Sequence, residues 1–192
     1  MKNREFVEKV EQNPIIAAVK NDEGLELSLT SDLEVIFILY GDVCTIPEIV
    51  RRIKAAGKTA MVHVDLINGL SSRDIALDYI RSFTEADGII TTKNALIPHA
   101  KELKLNTVLR YFVLDSMALV NIEKGARAGV AQPDFIEFLP GIILPSMIRK
   151  INEISRVPVL AGGLIQDKED VMNALSNGVT AISSTNQNVW FL

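Results

Sequence analysis

The chain has 192 residues, 48% of them hydrophobic and 23% charged, with a net charge of −4 and a pI of about 5.3. That length suits one domain with a substantial core and is short for two, and the acidic balance excludes a global field that would draw in nucleic acid. A lone cysteine, Cys44, excludes a disulfide framework or a cysteine metal cluster, and its place just after an apolar strand reads as a small buried hydrophobe. No stretch approaches the roughly 18 apolar residues of a membrane span. The first residues lack the apolar core of a signal peptide, so the expectation is a soluble cytoplasmic protein.

Phe6, Val7 and Val10 recur at helical spacing, which predicts a short leading helix over 3–12 that ends before Pro14. PIIAAVK (14–20) is the first strand. DEGLELSLTSD (22–32) is ambiguous and reads as a short, poor first barrel helix. EVIFILYGD (34–42) is a buried strand. In TIPEIVRRIKAAG (45–57), Thr45 is the expected N-cap, Ile46, Ile49, Val50 and Ile53 share a face, and Gly57 closes the helix. KTAMVHVDLING (58–69) is the third strand, followed by SSRDIALDYIRSF (71–83), a helix expected to be capped by serine.

DGIITTK (87–93) is the fourth strand, NALIPHAKELKL (94–105) its helix, and NTVLRYFVLD (106–115) the fifth strand. SMALVNIEKGARAG (116–129) reads as a helix ending near Gly129. PDFIEFLPGI (133–142) is the sixth strand and PSMIRKINEIS (145–155) a helix with proline at its start. PVLAGGLI (158–165) is the seventh strand, running into two glycines. Asp167 is the expected N-cap of the helix that follows, which ends at Gly178. TAISSTN (180–186) is the eighth strand, with only a mobile tail, NVWFL (188–192), where an eighth helix belongs.

Eight strands alternating with helices predict an α/β fold: a single (β/α)8 barrel of the TIM type over 1–192, short, with an abbreviated first helix and a nearly absent eighth. Either gap is one that a second subunit can cover, so the pattern is compatible with a homo-oligomer.

Strands buried on both faces should be almost wholly apolar, so their polar residues are informative. They are Lys20, His63 with Asp65, Thr91 with Lys93, Arg110 and Glu137. Alternation puts His63 and Asp65 on one face and Arg110 opposite in sense to Leu109 and Tyr111. Arg110 and Glu137, on neighbouring strands, are the natural ion pair, either structural or part of a ligand site. His63 reads first as a hydrogen-bonded core imidazole. Lys20 and Lys93 close strands at the rim where barrel ligands bind.

The loops after strands seven and eight are the habitual phosphate position of this fold. A phosphate would rest on backbone amides around Gly162, Gly163, Ser184 and Thr185, with hydroxyls toward Asp65, Arg110 and Glu137. The alternative for the glycine pair is a tight turn with no ligand. The sequence shows no nucleophile elbow, HExxH or metal-ligand cluster, and no catalytic residue is assigned.

HVDLINGLSSRD (63–74), DGIITTKNALI (87–97), LRYFVLDSMAL (109–119), DFIEFLPGI (134–142), PVLAGGLI and AISSTNQNVW, in this order, resemble the glycerol uptake operon antiterminator family, the glycerol-3-phosphate-responsive regulators of bacteria. Asn68 stands where an acidic residue is common. The resemblance covers essentially 14–192 and implies a barrel that binds glycerol 3-phosphate as effector, with no cofactor. It places the phosphate on Gly162, Gly163, Ser184 and Thr185. It also implies that the liganded protein acts on the leader mRNA of a glycerol catabolic operon, preventing termination and stabilising the transcript.

For RNA contact the sequence offers Arg51, Arg52, Lys54 and Lys58 on and after the second barrel helix, with smaller clusters at Lys124 with Arg127 and Arg149 with Lys150. Each is also readable as a solvated helix face. Two other functions fit the same pocket: a barrel enzyme on a small phosphorylated metabolite, of aldolase or isomerase type with Asp65 and Lys93 moving protons, and a metabolite sensor that acts through a protein partner.

Overall fold

The structure, a computed structural model, describes residues 2–127 and 129–192. Eight parallel strands close into a barrel in sequence order, β8 pairing with β1. They are β1 (Ile15–Val19), β2 (Val35–Ile38), β3 (Thr59–His63), β4 (Gly88–Thr91), β5 (Asn106–Phe112), β6 (Phe135–Leu139), β7 (Val159–Gly162) and β8 (Ala181–Ser184). A leading helix, α1 (Lys2–Gln12), precedes them. The crossover helices are α2 (Asp22–Thr30), α3 (Ile46–Ala55), α4 (Asp74–Phe83), α5 (Ile97–Glu102), α6 (Ser116–Gly125), α7 (Pro145–Ile154) and α8 (Lys168–Ser176). No helix among the described residues is long and apolar enough to cross a membrane.

Period-two alternation sorts the strand side chains. One set, including Ile36, Val62, Leu109, Phe138 and Ile182, is buried against the helices. The other fills the barrel with Ile16, Val35, Phe37, Met61, Ile90, Val108, Phe135 and Leu160. Helix α1 closes the bottom: Phe6 and Val10 join this interior cluster, and Phe6 meets Phe135 edge-on with centroids 5.4 Å apart. The middle of the lumen is therefore packed hydrocarbon, with a cavity of about 160 Å³ beside Phe6, Thr59 and Asn106 at the bottom and a larger one at the upper mouth.

Several local expectations change. Helix α2 is a proper nine-residue helix, because the Asn21 side chain accepts from the Gly24 amide and Leu25 is fully buried. Helix α4 starts at Asp74 with no serine cap. Helix α6 ends at Gly125, four residues before Gly129. Thr45 precedes α3 but does not cap it. The Asp42 carboxylate organises the turn, accepting from the amides of Cys44 and Thr45 and from the Thr45 hydroxyl. That turn leaves Cys44 exposed, contrary to its reading as a buried hydrophobe.

The tail is not loose either. Residues Gln187–Phe191 form a 3-10 turn that buries Val189 and Trp190, and the indole Nε1 donates to the Ser184 carbonyl at 2.7 Å. Trp190 thus takes the place of an eighth helix beside β1 and β8, so no second subunit is needed to cover that gap.

Candidate functional site

Above the hydrocarbon layers the lumen turns polar. Arg110 and Glu137 are paired directly across β5 and β6, and Arg110 Nε donates to Glu137 Oε2 at 2.6 Å. Both are deeply buried, Glu137 at 0% and Arg110 at 7% exposure. A pair removed from water keeps its charges only if the remaining lone pairs are met. The other carboxylate oxygen, Oε1, accepts from the Ser183 hydroxyl.

Ser183 escaped the sequence reading, although alternation from buried Ala181 puts it in the lumen. Gly162 makes this triad possible. A Cβ there would lie 2.5 Å from Ser183 Oγ and 2.6 Å from Glu137 Oε1, so any side chain would displace the carboxylate.

No described residue other than Glu137 bonds to Arg110, whose terminal amino groups are left for a ligand. Arg110 lines a cavity of about 370 Å³ at the upper mouth of the barrel together with Lys20, Gly163, Gln166, Ser183, Thr185 and Asn186. That lies within the usual range for small-molecule sites, roughly 300–1,000 Å³. Lys20 is exposed at the end of β1 and makes no ion pair among the described residues.

The turns after β7 and β8 are adjacent and tied together. Ser184 Oγ donates to the Ile165 carbonyl at 3.1 Å and accepts from the Asn186 amide, while Asn186 Nδ2 donates to the Gln166 carbonyl. Gly163 has φ +76 and Leu164 φ +62. The left-handed region costs a leucine on the order of 1 kcal/mol, so the surrounding bonds hold this turn in place. One of them runs from the Gly141 amide to the Gly163 carbonyl at 2.9 Å. Asp167 caps α8 by accepting from the Asp170 amide, as its position indicated.

The structure therefore gathers Lys20, Arg110, Gly163, Ser184 and Thr185 around one cavity, with Glu137 and Gly162 immediately beneath. Gly162 supplies space for the ion pair and does not line the cavity. Asp65 and Lys93 are not brought in. Strand β3 stops at His63, and Val64–Leu66 form a 3-10 turn that breaks the alternation linking His63 to Asp65. The Asp65 carboxylate accepts from the Thr91 hydroxyl and from the amide and hydroxyl of Thr92, securing the end of β4. Lys93 is exposed beyond it. The Asp65 with Lys93 proton relay is thus not assembled.

His63 is buried in the lumen, the core position the sequence suggested, and its Nδ1 has no partner among the described residues. Burial, reinforced by the Arg110 charge and only partly offset by Asp65, lowers its pKa from 6.5 to about 4. The ring is neutral at physiological pH.

The basic face proposed for RNA is internally neutralised. Arg51 pairs with Glu48, Arg52 with Glu26 and Asp22, and Lys54 with Asp87. Lys58 is buried, donating to the carbonyls of Ser31 and Leu33. Helical spacing correctly put the first three on α3, but acidic groups from α2, α3 and the approach to β4 occupy them.

The chain is thus a closed (β/α)8 barrel with Lys20 and Arg110 lining a cavity beside the turns after β7 and β8. The model of the glycerol-3-phosphate responsive antiterminators matches residues 15–190, and the chain belongs to that family. A glycerol uptake operon antiterminator regulatory protein from Listeria monocytogenes superposes with a TM-score of 0.85 at 35% identity, covering 93% of this chain and 95% of that one. A related protein from Thermotoga maritima gives 0.80 at 32%, covering 93% and 98%. The uncharacterized protein YgcP of Escherichia coli strain K12 is 43% identical over 181 residues, 94% of this chain and 93% of the relative.

Two outcomes follow from this geometry. Gly162→Ala is expected to destabilise the protein by about 1–3 kcal/mol in urea unfolding, because the new methyl overpacks the triad; an unchanged midpoint would contradict the packing described. The unfolded chain keeps a proton on His63 up to about pH 6.5, whereas the folded chain takes one up only near pH 4. Unfolding therefore binds a proton in that window, and stability falls on acidification by up to ~1.4 kcal/mol per pH unit from this group. His63→Gln should lose less stability than wild type between pH 6.5 and 4.5, and parallel curves would refute the assignment.

Proposed function

We propose that this protein is a transcription antiterminator gated by glycerol 3-phosphate. The observation that carries the reading is the placement of Lys20 and Arg110 over the joined turns after β7 and β8, in a chain of the glycerol-3-phosphate responsive family. In this reading the phosphate sits against the turns at Gly163–Gln166 and Thr185–Asn186. Lys20 supplies a point charge at the mouth, and the free edge of the Arg110 guanidinium supplies directed donors from below. The glycerol end faces the lumen, where Ser183 and neutral His63 are the polar groups at hand.

Glu137 holds Arg110 from behind and offsets its charge, so the excess positive charge of the cavity comes from Lys20. The preference for an anion then rests on one exposed cation plus preorganised donors. That suits reversible sensing of a metabolite rather than permanent occupancy.

The output proposed is action on the leader mRNA of a glycerol catabolic operon, keeping the terminator from forming and stabilising the transcript. Effector binding drives it only to the extent that the RNA-competent state binds glycerol 3-phosphate more tightly than the other. The paired cations of α3 are set aside as the RNA face. Lys124 with Arg127 is the basic cluster that this reading retains, since Lys150 pairs with Glu153 and Arg149 donates to Asn177. Lys124 lines a second cavity that Arg110 also reaches.

Titration calorimetry with glycerol 3-phosphate tests the pocket, and titration of leader RNA with and without it tests the gate. Lys20→Met, an exposed substitution that leaves the ion pair intact, should weaken glycerol 3-phosphate by about tenfold, near 1.4 kcal/mol. RNA affinity should rise when the effector is present. Effector binding unaffected by Lys20→Met would remove the pocket assignment, and RNA affinity indifferent to effector would remove the gate.

A further inference from the structure

A second cavity is larger than the polar one. A groove of about 800 Å³ runs between the β5–α6 and β6–α7 loops, and its floor is made by Val113, Leu119, Ile143 and Met147. Around it the surface is apolar to an unusual degree. Leu114 is 83% exposed and Leu144 70%, with Met117 and Ile142 each roughly half exposed. Together these four side chains and the half-buried floor of the groove expose on the order of 500 Å² of apolar surface.

Monomeric proteins rarely carry a contiguous apolar patch beyond a few hundred Å². Residues 112–120 and 142–147 contain one charged side chain, Asp115, and its carboxylate is engaged in capping α6 through the Met117 amide.

From this we infer that the face formed by the β5–α6 and β6–α7 loops is a self-association surface that takes a second copy of this chain. Area and charge argue for that occupant. Each partner in an ordinary specific interface contributes about 800 Å², and in homodimers about two-thirds of it is apolar, so the exposed side chains of the two loops and the groove floor supply most of the apolar share.

RNA does not fit, since its backbone asks for cations and the patch offers one carboxylate. A transient protein partner would meet a face about as polar as the rest of the surface. A face this depleted of charge matches a partner present whenever the chain is made, which is another copy of itself.

Sedimentation velocity of the full chain at tens of micromolar tests this without any ligand, so its outcome is independent of glycerol 3-phosphate. The wild type should sediment as a dimer. Leu114→Asp combined with Leu144→Asp should halve the mass while circular dichroism shows an unchanged fold, and Met147→Lys on α7 should do the same from a different element. Ile75→Asp, equally exposed on α4 but remote from the groove, should remain a dimer. A monomeric wild type, dimers that persist in the folded patch variants, or equal dissociation by Ile75→Asp would each overturn the proposal.

Discussion

One ion pair sets the terms for the upper half of this barrel. Placing Arg110 and Glu137 inside a closed sheet removes both from water, an effective cost of several kcal/mol per ion unless each remaining polar atom is met. The carboxylate is met on one oxygen by Arg110 and on the other by Ser183. Gly162 must stay a glycine for that contact to close. The guanidinium is satisfied only on its Nε side, so its outer edge is directed at the cavity above. Beneath the pair, Phe37, Met61, Val108 and Phe135 fill the lumen, and Phe6 of α1 seals its base. Hydrocarbon below and a braced cation above confine the polar site to the C-terminal mouth.

The sequence was most informative where a single periodicity governed the outcome. Eight alternations of strand and helix indicated the barrel. Period-two parity within FIEFL and VLRYF paired Arg110 with Glu137 before any coordinates, and the glycine and hydroxyl turns after strands seven and eight do lie side by side. Parity failed at His63 and Asp65 because β3 ends at His63, well inside the stretch 58–69 read as strand, and a 3-10 turn redirects the carboxylate to Thr91 and Thr92. It could have found Ser183, whose neighbour Ser184 drew notice instead.

Other features depended on contacts made across long sequence separations, which spacing cannot show. The basic spacing on α3 is real, yet Glu26 and Asp87, far away in sequence, neutralise it. Cys44 follows an apolar strand, yet the Asp42 turn lifts it to the surface. The tail looked too short to be ordered, and one indole donating to the Ser184 carbonyl holds it.

A crystal structure of the glycerol 3-phosphate complex tests the assignment of the pocket most directly. The expected density places the phosphate between the turns at Gly163 and Thr185, with an Arg110 terminal nitrogen within about 3 Å of a ligand oxygen and Glu137 still bonded to Nε. Phosphate bound elsewhere, or an Arg110 that leaves Glu137 and turns away from the cavity, would contradict it.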